Sequence, residues 1–141
     1  MKNIIVDAGP LIALFDKDDK YHNSVIKFLK TFDGQLITSW PVITEVTHLL
    51  SFNVNVQIDF LEWLKRKAVT IVNLENIHLE RIIQLSKKYS DVPMDLADSS
   101  LIVIAELTNI TEIITIDSDY YIYKTKNKKL LNNILSPFLK I

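Results

Sequence analysis

Pro93–Glu106, PMDLADSSLIVIAE, is the stretch around which the rest of the chain is organised. Pro93 fixes φ just ahead of a helix, and Asp95 suits the N-cap, where its side-chain oxygen can accept an orphan backbone N–H. Leu101, Ile104, Ala105 and Thr108 recur at helical spacing, so the body of this helix is core. Asp98 falls in the first turn, near Leu101 and Ile102 by i, i+3 and i, i+4 spacing, and is expected to face inward. Asp-x-x-Asp is also close to a capping box, and acids in a first turn suit the helix dipole. A purely structural role for Asp95 and Asp98 therefore stands beside a chemical one.

Working outward, Asn3–Val6 is a short β-branched run closed by Asp7-Ala8-Gly9-Pro10, which reads as a buried strand and a tight turn. Pro10 suits the first position of a helix over Leu11–Phe15. Asp18 or Asp19 can cap a second helix with Tyr21, Val25, Phe28, Leu29 and Phe32 on one face, ended by Asp33-Gly34. Gln35–Thr38 is a second strand, and Ser39 with Pro41 opens a helix that carries Glu45 in its early turns, where a solvent-facing position, the commoner fate of a helix glutamate, stands beside a role in a site. Val56–Lys67 is a further helix, Ala68–Leu74 a third strand and Glu75–Tyr89 another helix. After the central helix, Ile113–Ile116 is an apolar run ending in Asp117-Ser118-Asp119, which repeats the strand-then-acid pattern of Asp7. A last short strand is expected near Ser136–Ile141. Helices between successive strands predict an α/β fold in three layers, a central parallel sheet of four or five strands flanked by helices.

At 141 residues, with no linker or internal repeat, the chain is expected to form a single domain over residues 1–141. Its 16 basic and 17 acidic residues create no overall basic field, so any contact with nucleic acid must come from a local patch. The absence of cysteine excludes disulfides, thiolate metal sites and cysteine nucleophiles. Asp7 interrupts the first apolar run, which makes a poor signal peptide, and no run approaches the roughly 18 residues of a membrane span. The expectation is a soluble cytoplasmic protein that makes no membrane contact.

Asp7 and Asp117 at strand ends, with Glu45, Asp95 and Asp98 in or beside first helical turns, share one kind of address. A right-handed parallel fold gathers such positions along one edge of its sheet. Crowded together they would repel, and several would have to hold protons. A hard divalent cation, Mg²⁺ or Mn²⁺, relieves this with oxygen ligands and suits phosphodiester hydrolysis. No glycine-rich phosphate loop, zinc-protease helix or EF-hand pattern competes with that reading. His22, His48 and His78 lack ligand spacing and read as surface or satisfied histidines.

VDAGPLIALFDKDDKYH, ITSWPVITEVTHLL, YSDVPMDLADSSLIVIAE and ITIDSDYYIYK, in that order, resemble the successive signatures of the PIN-domain family, of the kind found in VapC-type toxins of bacterial toxin–antitoxin pairs. The resemblance covers nearly the whole chain. It implies a metal-dependent ribonuclease, with an antitoxin as protein partner and a homodimer as the common assembly. The family's first acid falls on Asp7, its helix glutamate on Glu45, its central-helix aspartate on Asp98 and its Thr-x-Asp pair on Thr115 and Asp117. Asp95 and Asp119 match positions often acidic in relatives, where they are additional candidates for the metal.

The chain departs from the family in three places. Ala8-Gly9 replaces the usual Thr-Ser, Ser99 stands where alanine is usual, and Tyr120 where phenylalanine is common. In YYIYKTKNKK, Tyr120, Tyr121 and Tyr123 interleave with Lys124, Lys126, Lys128 and Lys129. Tyrosine can stack on unpaired bases and lysine can neutralise phosphate, so Tyr120, Tyr123, Lys124 and Lys126 are candidate RNA contacts; a solvated loop is the competing reading. Two other functions remain to be weighed. A PIN-like module could bind RNA or a partner without cleavage. A phospho-receiver domain would need an acidic pair after the first strand and a late lysine, whereas this chain has Asp7 alone and no lysine within Ile113–Asp119.

Overall fold

In the computed structural model, which describes residues 2–139, a strand followed by two helices recurs three times before the last two strands. The elements are β1 (Lys2–Val6), α1 (Ala8–Phe15), α2 (His22–Thr31), β2 (Gly34–Thr38), α3 (Trp40–Leu49), α4 (Val54–Lys65), β3 (Val69–Ile71), α5 (Leu79–Lys88), α6 (Leu96–Thr108), β4 (Glu112–Ile114) and β5 (Asn132–Asn133). Short 3₁₀ turns cover Asn76–His78, Ser118–Tyr121 and Ser136–Phe138.

The five strands form one all-parallel sheet in the order β3-β2-β1-β4-β5, flanked by the six helices. Ile4 and Ile5 of β1 pair with Leu36 and Ile37, while Ile5 and Val6 pair with Ile113 and Ile114 on the other side. Strand order thus reverses between β1 and β4. In open parallel sheets the crevice at the carboxyl ends of such strands is where ligands bind. Asp7 lies there, with its N–H donating to the Ile114 carbonyl at 3.1 Å.

The hydrophobic core explains why α6 is central. Residues 97–105 are all buried, so this helix is covered on every side rather than along one stripe. Ser39 caps α3 by accepting the Val42 N–H, and its hydroxyl also meets the Ser100 hydroxyl at 2.7 Å, tying α3 to α6. Among the described residues no helix is long and apolar enough to cross a membrane.

The structure corrects several boundaries. Pro10 is the third residue of α1, not the first, because the helix starts directly after Asp7. Gly9 has no positive φ; a Cβ there would stand 3.3 Å from Ile116 Cβ, so close packing rather than a tight turn explains the glycine. The helix expected over Glu75–Tyr89 begins as a 3₁₀ turn closed by His78, whose Nδ1 accepts the Glu75 N–H at 2.9 Å. The final strand is Asn132–Asn133 rather than Ser136–Ile141. Ser136–Phe138 coils into a turn, since Pro137 has no N–H to give a ladder. Lys140 and Ile141 lie outside the described residues.

Candidate metal centre

Thr115, just past β4, organises the sheet side of the site. Its hydroxyl donates to Asp7 Oδ2 at 2.9 Å and accepts the Asp117 N–H at 2.9 Å, so one oxygen ties the two strand-end acids together. That hydroxyl serves Asp7 where Ala8 offers none. The Thr115 backbone is fixed in turn by Asn133, whose Oδ1 accepts the Thr115 N–H at 3.2 Å and whose Nδ2 donates to the Thr115 carbonyl at 3.0 Å. Asn133 therefore imitates a strand partner beyond the end of the β4–β5 ladder. Asp117 Oδ1 accepts the Asp119 N–H at 2.9 Å, which starts the turn over Ser118–Tyr121.

Asp98 comes from the opposite side, out of the first turn of α6. The Asp95 side chain accepts the Asp98 N–H at 2.8 Å and Asp98 Oδ2 accepts the Asp95 N–H at 3.3 Å, a complete capping box. Capping and convergence are thus compatible, because the same Asp98 carboxyl also faces the sheet acids. Tyr120 and Tyr123 donate to its two oxygens from behind, at 3.3 and 3.5 Å.

Asp7, Asp98 and Asp117 each bring one carboxylate oxygen within 4.8 Å of the other two. Asp7 is 6% exposed and Asp98 9%. Burial pushes Asp7 from 3.8 up to about 7; the Ala8 N–H and the Thr115 hydroxyl pull the other way, and Asp117 and Glu45 add repulsion. Burial also pushes Asp98 up to about 8, reinforced by the charges of Asp95 and Asp7. The sequence suggested crowding as the cause of such shifts, yet desolvation is the larger effect for both. Glu45, half-buried on α3, lies outside the tight triad but is raised by burial and then by Asp95 and Asp117. Asp95 is exposed at the rim, and Asp119 is half-buried beside Asp117. The donor set is all carboxylate oxygen and largely removed from water, which fits a hard divalent cation and no thiophilic metal.

The tyrosine contacts proposed for RNA need correction. Tyr120 is 2% exposed and Tyr123 0%, so neither ring has a face for a base; their apolar bodies fill core and their hydroxyls turn to Asp98. Lys124 and Lys126 are exposed, at the base and on the arm of a hairpin closed by a Lys124–Leu130 bridge. Two buried groups pin that hairpin: Tyr89 accepts the Lys124 N–H at 2.8 Å, and Glu106 Oε2 accepts the Lys126 N–H at 2.7 Å. Glu106 is itself held by a two-pronged pair with Arg81, at 2.9 and 2.7 Å.

Sequence reasoning passed over Asn133, Tyr89 and the Arg81–Glu106 pair, because their roles arise between segments 18 to 35 residues apart. Also unanticipated is an open groove of about 580 Å³ beside the acids, lined by Trp40, Thr44, Glu45, His48, Asp95 and Leu96 among others. Trp40 is half exposed there, with its indole N–H fixed on Asn73 Oδ1 at 3.1 Å.

The fold has solved counterparts. A Mycobacterium tuberculosis protein, VapC20, described as a Sarcin-Ricin loop cleaving toxin, superposes with a TM-score of 0.77 at 15% identity over 84% of this chain and 93% of its own. A chain of a toxin–antitoxin complex from Klebsiella pneumoniae gives 0.63 at 21% identity, over 82% of this chain and 87% of that one. No curated protein matches significantly. The PIN domain profile matches residues 4–126, a span that holds every acid of the site and both tyrosines behind Asp98. The chain belongs to the PIN domain family.

Proposed function

We propose that the protein is an Mg²⁺- or Mn²⁺-dependent endoribonuclease and the toxin half of a toxin–antitoxin pair. The observation that carries this reading is the convergence of Asp7, Asp98 and Asp117 carboxylate oxygens within 4.8 Å, at the switch point of a parallel sheet. These three would hold the cation, with Glu45 and Asp95 at the rim and Asp119 behind Asp117. When bound, the cation supplies positive charge for the phosphate and lowers the pKa of water. Thr115 keeps Asp7 and Asp117 in register, and the capping box keeps Asp98 at the mouth of α6.

RNA is the substrate of choice because the fold's relatives include a toxin described as cleaving the Sarcin-Ricin loop. Lys124 and Lys126, with Lys128 and Lys129, present positive charge on a pinned hairpin and would contact phosphates. Trp40 offers a fixed, exposed ring in the groove shared with Glu45 and Asp95, suited to stacking on an unpaired base. A single-stranded or looped RNA therefore fits better than a duplex.

The partner reading has its own support. Leu49, Phe52, Val54, Ile58 and Leu61 stand exposed on α3, α4 and the turn between them, the kind of apolar surface that a protein partner covers. An antitoxin segment or a second copy of this chain would cover it, and light scattering of the protein alone separates a homodimer from a monomer. The ribonuclease reading is tested by incubating purified protein with single-stranded RNA in Mg²⁺, Mn²⁺ or EDTA. Cleavage that needs the cation and leaves 5′-phosphate ends supports it; binding without cleavage would leave a PIN-fold RNA-binding module.

A further inference from the structure

We infer that Tyr120 and Tyr123 are positioning residues that aim the Asp98 carboxylate at the cation, which extends the metal-site reading above. Both rings are buried, and among the described residues Asp98 is the one acceptor each hydroxyl reaches. A buried hydroxyl without a partner is costly, so the geometry couples the two tyrosines to this carboxylate.

The acceptor count shows what they achieve. A carboxylate has about four lone-pair positions. Oδ2 takes the Tyr123 hydroxyl and the Asp95 N–H, while Oδ1 takes only the Tyr120 hydroxyl. Asp98 is thereby held by both oxygens, and Oδ1 keeps a lone pair free for the site. Without these donors, repulsion from Asp7 and Asp95 would favour rotation of the carboxyl away from the other ligands. Both hydroxyl contacts are longer than the roughly 2.5–3.0 Å of an ordinary O–H···O bond, so each alone holds the carboxyl weakly and the two restrain it together.

The tyrosines are themselves preorganised. Their rings meet edge to face, 5.3 Å apart at 84°, and Tyr89 packs on Tyr123 in the same way at 5.1 Å and 67°. Tyr89 accepts the Lys124 N–H at 2.8 Å through its hydroxyl oxygen. Its hydroxyl points away from Asp98 to the backbone, which makes it an internal control: same cluster, no donor to the ligand.

The test is Mn²⁺ titration followed by electron paramagnetic resonance, with thermal melts in EDTA, on the unmutated protein, Tyr120→Phe, Tyr123→Phe, the double variant, Tyr89→Phe and Asp98→Asn. The double variant should bind Mn²⁺ about 10–100-fold more weakly, as loss of partners behind a metal ligand typically does, while melting within a few degrees of the parent. Tyr89→Phe should lower the melting temperature and leave affinity within about 3-fold, on the same scale. Undiminished affinity in the double variant, with Asp98→Asn losing it, overturns the tyrosine role and leaves the cation site standing. An equal loss in Tyr89→Phe overturns it too, since packing would then be the cause. No binding by the unmutated protein, or full binding by Asp98→Asn, overturns the cation site and the tyrosine role together.

Discussion

Replacing Asp7 by Asn should make the metal-free protein more stable, by a margin that grows from about pH 4 to about pH 7 and is constant above that. Asp7 is 6% exposed and its carboxyl is pushed from 3.8 up to about 7, chiefly by burial. An acid whose folded pKa is raised binds more protons folded than unfolded between those two values. Its contribution is fully present below about pH 4 and is lost as pH rises through about 7. At 1.36 kcal/mol for each pH unit, ionising Asp7 in place costs on the order of 4 kcal/mol, and local relaxation would halve that to about 2.

Asn resembles the protonated acid, and its Oδ1 can still accept the Thr115 hydroxyl. The variant should therefore match the parent in EDTA near pH 4, exceed it by about 1–2 kcal/mol at pH 5 and exceed it by about 2–4 kcal/mol at pH 8.5. For a chain of this length that is roughly 8–15 °C in melting temperature. Mg²⁺ at about 100 times its dissociation constant should stabilise the parent by about 2.7 kcal/mol and the variant far less. Circular-dichroism melts from pH 4 to 8.5 read both effects; distant carboxylates cancel in the difference curve, while Asp98, raised in part by the Asp7 charge, shifts it in the same direction. A variant whose stability tracks the parent's at every pH would refute the buried, unpaired charge at Asp7.

Asp98→Asn and Asp117→Asn should each abolish RNA cleavage, while Asp95→Asn, at the exposed rim, should weaken it less; gel assays of product formation rank them. Changing Lys124, Lys126, Lys128 and Lys129 together to Ala should lower RNA affinity and flatten its dependence on salt, since fewer counterions are released, and filter binding from 50 to 200 mM salt gives the slope. Glu106→Ala should cost about 1–2 kcal/mol by removing the charge-assisted bonds to Arg81 and the bond from the Lys126 N–H, measured by urea titration; a loss under about 0.5 kcal/mol would mean the pair contributes nothing to stability.

The parts of the site legible in the sequence were those fixed by local rules. A short apolar run closed by an acid marks a strand end, and this pattern found Asp7 and Asp117 just beyond the ends of the neighbouring strands β1 and β4. Helix-start chemistry found Asp95 and Asp98, though capping and clustering looked like rivals when one side chain does both. What the sequence hid was decided by distant partners. YYIYKTKNKK has the composition of a wet RNA-binding loop, yet Tyr120 and Tyr123 are among the most buried side chains, because Asp98 and Tyr89 lie behind them. Asn133 reads as one of two loop asparagines, and only the β4–β5 pairing reveals it as the brace of Thr115. Gly9 suggested a turn and is instead a contact with Ile116, more than 100 residues away.

The central claim is that Asp7, Asp98 and Asp117 hold the cation on which RNA cleavage depends. It is tested most directly by measuring bound Mn²⁺ and RNA cleavage rate on the same samples across a Mn²⁺ titration, for the unmutated protein and Asp117→Asn. The account predicts that rate and occupancy rise together in the unmutated protein and that both collapse in the variant. Full cleavage at zero occupancy, or an Asp117→Asn protein that keeps both curves, would contradict it.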